Sequence, residues 1–274
     1  MKRLKWIAGG LLVAVVAVLV AGYVALASLD LESYRGEIER RAEDATGREL
    51  KLTGAMSFSM GLAPAISVSG VSFANAEWGS RAEMATIERF EVEVALLPLL
   101  TGDLKVSSLV LVRPDVLLET GPDGQGNWAL GARAGQQGDT ASPGAGRIPD
   151  ISGVRIQDAT VRYRDNQTGV ELVTNVAEAS LDSAGAGLAI RADGTYQSVP
   201  FELDGTVGAL ATLLAGEGRY PIDLNVEAED TELTLTGALD QSGRDVSPDV
   251  EVSARTGSLA NLTALSGLPD LRLP

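Results

Sequence analysis

The chain has 274 residues, 37 acidic against 22 basic side chains and a net charge of −15, a field that repels polyanions and argues against nucleic acid as a partner. It has no cysteine and no histidine, which excludes disulfides, thiolate metal sites and cysteine or histidine catalysis. Lys51 and Lys105 are the only lysines beyond the N-terminal tail, so a Ser–Lys pair is formally possible, but nothing in the pattern supports it. The chain is therefore read as non-enzymatic, with no cofactor.

Residues 1–5 form a basic tail with Lys2, Arg3 and Lys5, and residues 6–29 contain no charged side chain. A helix over that run is long enough to cross a hydrocarbon core of roughly 30 Å. Asp30 and Glu32 follow it, so the charge asymmetry predicts a cytoplasmic N-terminus and an exported body. Ala25-Leu26-Ala27 has the small-x-small form of a signal-peptide cleavage site, but the apolar run exceeds the usual ~7–15 residues, which favours an uncleaved anchor.

From Leu31 to Thr46, the spacing of Leu31, Tyr34, Ile38, Ala42 and Ala45 predicts a short amphipathic helix, capped by Asp30 and ended by Gly47. Beyond Gly47 the period becomes two. Phe90, Val92 and Val94 alternate with charged neighbours, and Val161 and Tyr163, Phe201 and Leu203, Ile222, Leu224 and Val226, and Leu233 and Leu235 alternate likewise with charged or polar ones. Each run predicts a strand with one apolar and one wet face. Asp123-Gly124, Asp193-Gly194 and Asp204-Gly205 are expected turns. Leu109-Val110-Leu111-Val112 is apolar on both faces, which leaves its register open. Residues 131–149 are rich in Gly, Ala, Gln, Ser and Pro and predict a flexible linker between a first segment, 30–130, and a second β segment, 150–274.

Several stretches resemble the AsmA family. They are Thr46-Gly47-Arg48-Glu49-Leu50, Ala74-Asn75-Ala76, Leu96-Leu97-Pro98-Leu99-Leu100, Arg113-Pro114 with Leu117-Leu118-Glu119, and Asp123-Gly124-Gln125-Gly126-Asn127-Trp128. Trp128 is expected to bury its ring after that turn. Residues 151–274 are similar more loosely, and family members are usually longer, which implies a truncated second segment or a short member. The resemblance implies a mainly β fold: a transmembrane helix and a short amphipathic helix, then a curved antiparallel β-sheet forming an elongated apolar groove. It implies a single-pass protein of the bacterial inner membrane with a periplasmic body, supporting phospholipid transport to the outer membrane and envelope integrity. The expected partners are phospholipid acyl chains and the inner membrane. Phe90, Val92, Val94, Val161, Tyr163, Phe201, Leu203, Ile222, Leu224, Val226, Leu233 and Leu235 are the candidate lipid contacts. Alternation alone favours an ordinary closed sandwich core, and it is the resemblance that points to a groove. The rival function is a scaffold whose β edges bind outer-membrane proteins or their assembly machinery.

Overall fold

The structure, a computed structural model, describes residues 31–59, 64–95, 105–130, 151–209, 212–213, 218–240 and 247–257. The predicted anchor, the linker and the Leu-Leu-Pro-Leu-Leu stretch lie outside these residues. Among the described residues no helix is long and apolar enough to cross a membrane.

A 3-10 turn, Leu31–Tyr34, leads into helix α1, Arg35–Thr46. The α-helix thus begins later than expected, with Tyr34 at its N-cap and no side-chain cap there. Gly47 ends it as expected: at φ 71° it adopts the left-handed conformation and its N–H bonds back to Glu43 O.

Among the described residues twelve strands follow: β1 (Leu50–Leu52), β2 (Met56–Ser59), β3 (Ala65–Ala74), β4 (Glu83–Val94), β5 (Val106–Thr120), β6 (Gly153–Asp165), β7 (Glu171–Ala184), β8 (Gly187–Tyr196), β9 (Val199–Gly208), β10 (Arg219–Ala228), β11 (Thr231–Asp240) and β12 (Ser247–Thr256). They form one open, curved sheet in sequence order, with β1 and β2 both pairing to β3. Every pairing is antiparallel except β5–β6, which is parallel. The expected all-antiparallel sheet is corrected at this joint. The chain leaves β5 at Thr120 and re-enters the sheet beside the start of β5, where Val154 opposes Leu109, so the two segments on either side of residues 131–149 share one sheet.

Two of the expected turns are strand interior. Asp193-Gly194 lies within β8 and Asp204-Gly205 within β9. The glycines are there for close approach. A Cβ on Gly194 would fall 2.0 Å from Asn175 O, and one on Gly205 2.1 Å from Asp223 O. Asp123-Gly124 is a turn, closed by Gly121 N–H to Gln125 O at 2.7 Å.

Candidate functional site: one apolar face

Directly opposed residues in a sheet project to the same face, so the register fixes which side chains share a surface. One row runs Ile66, Val92, Leu109, Val154, Leu181, Ile190, Gly205, Leu224, Leu235, Val252. Its neighbour runs Val68, Phe90, Leu111, Ile156, Ala179, Ala192, Leu203, Val226, Leu233, Ala254. Neither row contains a charged or polar side chain. Together they cross β3 to β12, about 43 Å at roughly 4.8 Å per strand step. The register of β5 is thereby settled: Leu109 and Leu111 join the rows, while Val110 and Val112 take the other face.

The structure brings the sequence-derived candidates together on this surface. Phe90, Leu203, Val226 and Leu233 share one row, and Val92, Leu224 and Leu235 share the other. Ile222 pairs with Val207, Phe201 with Gly194, and Val94 with Val106. Val161 and Tyr163 lie opposite Val116 and Leu118, beyond a crease marked by the positive φ of Gly70, Arg113 and Asp158. All twelve candidates are half-buried. In a closed two-layer sandwich such residues would be sealed by a second sheet; among the described residues there is a single sheet, and its strands pack chiefly on their own neighbours.

At the β1 end the face is closed. Ile38 of α1, Leu50 and Leu52 of β1, Met56 of β2 and the first members of both rows surround an apolar hollow of ≈ 320 Å³. Val71 and Ile87 line it together with Val68 and Phe90, so the apolar face continues across the crease. Helix α1 buries no residue completely, and Tyr34 and Ile38 stay exposed.

A buried polar cluster braces this end. Glu119 and Asn127 are wholly inaccessible. Asn75 Nδ2 and the Ser80 N–H donate to Glu119 Oε1 at 2.7 and 2.9 Å. Asn127 Nδ2 donates to Asn75 Oδ1 at 2.9 Å and to Leu117 O at 2.8 Å, and the Glu119 N–H donates to Asn127 Oδ1 at 3.0 Å. Arg48, just past the helix cap, donates from Nη2 to Asn127 O at 2.9 Å. Burial pushes the Glu119 carboxyl up, but the donors from Ser80 and Asn75 and the field of Arg164 outweigh it and hold it below the usual glutamate range. Nearby, burial also raises Asp115, and Arg162 and Arg81, at 2.6 and 2.7 Å, bring it below the usual aspartate range.

Arg48, Asn75, Glu119 and Asn127 each fall in a stretch that carries the family resemblance, but no local pattern in the sequence says that the four meet. The expectation for Trp128 is corrected. Its ring packs against Gly126 and lies 6.3 Å from that of Tyr163, but the residue is 46% exposed, because the turn holds it at the lip of the sheet.

The opposite face is polar and carries a row of carboxylates, Glu178, Asp193, Glu202, Glu227 and Glu232, each directly opposite the next. Among the described residues no group of acidic side chains is placed to hold a metal ion.

An open sheet with one apolar face, preceded by a short helix, defines the class of protein. The model of the AsmA family matches residues 1–261, and the chain belongs to that family. No curated relative matches it in sequence.

Proposed function

We propose that this protein is anchored in the bacterial inner membrane, with its body in the periplasm, and supports phospholipid transport towards the outer membrane and envelope integrity. The observation that carries this reading is the pair of uninterrupted apolar rows, half-buried along most of their length, with Val68 buried at one end and Val252 exposed at the other. Acyl chains leave water at about 0.8 kcal/mol per buried CH₂. A surface of uniform apolar character offers nearly the same free energy at each strand step, so a chain can advance without a deep trap. Shielding of this kind makes and breaks no bonds, which fits a non-enzymatic role. Family membership and the size of the open sheet support an envelope function of this type.

The test is to purify the full chain in mild detergent and identify bound lipids by mass spectrometry, beside Leu224→Asp, which places a charge within one row. Stoichiometric phospholipid on the wild type, lost in a variant with an unchanged melting profile, is the expected result. A folded wild-type chain with no lipid above background would reject the reading.

A further inference from the structure

The two edges of the sheet are finished differently. At the β1–β2 edge, α1 and the 3-10 turn before it supply side chains to the backbone of the edge. The Leu52 N–H donates to Glu39 Oε1 at 2.8 Å, the Met56 N–H to Glu32 Oε1 at 3.1 Å, and Arg35 Nη2 donates to Gly54 O at 2.7 Å. A strand arriving there finds those groups already engaged, the usual protection of an edge.

At the other end, β12 pairs with β11, and among the described residues no strand lies on its far side. Pro248 stands opposite Leu239 and has no N–H to give it. Backbone groups in an antiparallel strand alternate sides, so Pro248, and with it Val250, Val252 and Ala254, turns its backbone outward. The next pairing inward agrees. Pro221 opposite Ala238 cannot donate either, which directs the Ala238 backbone towards β12. The side chains of Val250, Val252 and Ala254 fall on the apolar face, and Val252 is 63% exposed.

We propose that the β12 edge is a docking site for one extended segment of a separate polypeptide, which adds as a further strand and carries the apolar rows onward. Its chemistry follows from β12. Apolar residues must face Val250, Val252 and Ala254, and a basic residue must face Glu251 on the other side, where Asp249 is already paired with Arg219 at 2.7 Å. Inside the sheet the same solution recurs: Arg164 opposes Glu171, and Arg255 opposes Glu232. A second copy of this chain is the poorer occupant, since each copy brings a net charge of −15. The proposal rests on the apolar-face reading but concerns the backbone of one edge.

The experiment is residue-level amide exchange on the full chain in detergent, with and without a labelled heptapeptide of alternating lysine and valine. Without peptide, the amides of Val250, Val252 and Ala254 are expected to exchange at least about tenfold faster than those of Glu251 and Ser253. With peptide at low salt those amides slow, while a peptide of alternating glutamate and valine has no effect. Val252→Pro abolishes binding without disturbing β11, because that backbone faces outward. Glu251→Lys leaves the edge intact and weakens binding of the basic peptide. Amides already protected in the peptide-free chain overturn the proposal, as does protection that grows with protein concentration, which would make the occupant a second copy. Undiminished binding to Val252→Pro overturns it too. The readout is independent of lipid: an open, peptide-binding edge on a lipid-free chain rejects the transport reading alone, and a closed edge on a lipid-loaded chain rejects only this proposal.

Discussion

Asn75 and Asn127 meet side chain to side chain at 2.9 Å, joining the loop after β3 to the turn after β5, and the Glu119 carboxylate is buried against Asn75. Residues far apart in sequence thus form one polar knot beside the closed end of the apolar face. Because buried polar groups depend on their partners, each member is costly to remove.

Glu119→Gln is expected to destabilise the protein by roughly 1–3 kcal/mol, since Oε2 is buried without a hydrogen-bond partner among the described residues and an amide there gains none. The pH dependence follows from the depressed carboxyl. Its stabilisation is present above the ordinary glutamate value of about 4.3 and is lost as pH falls through the lower folded value. Thermal melts between about pH 5 and pH 3 should show a steeper fall for the wild type than for Glu119→Gln. Asp115, depressed in the same sense, retains part of the slope.

Arg48→Ala removes the bond from the end of α1 to Asn127 O. A loss of about 1–2 kcal/mol is expected, with faster amide exchange in α1 and unchanged exchange in β8 to β11. Equal acceleration throughout the sheet would contradict a local tie.

Gly205→Ala should cost more than about 2 kcal/mol, because the new Cβ meets the neighbouring strand's backbone. Gly185→Ala, in a turn at φ 60° with open space around it, should cost only about 1 kcal/mol. Chemical denaturation of the two variants makes the comparison.

The carboxylate row gives a prediction of opposite sign. Glu202 lies between Asp193 and Glu227, so Glu202→Lys should stabilise by about 0.2–1 kcal/mol at low salt. The gain should shrink as ionic strength rises. Melting temperatures at two salt concentrations test it.

Much of this architecture was legible in the sequence because alternation of period two is a local signal. Phe90, Leu224 and Leu235 could be assigned to an apolar face from their neighbours alone. That the faces join into two continuous rows was not legible, since register depends on pairing between strands. The parallel β5–β6 joint was hidden for a similar reason: nothing local in Val106–Thr120 says which way its neighbour runs. Asp193-Gly194 and Asp204-Gly205 read as turns because Asp-Gly has the same form in a turn as at a close backbone approach inside a strand. The knot around Glu119 was missed because its members are brought together only by the folded sheet.

The central claim is that acyl chains lie along one face of the sheet. The most direct measurement places a photo-crosslinking residue in turn at Leu203, Leu224 and Leu235 on the apolar face and at Asp204, Asp223 and Thr234 on the polar face, in the presence of labelled phospholipid. Crosslinking confined to the first three positions is the expected result. Equal labelling of both sets, or none in either, would contradict the account.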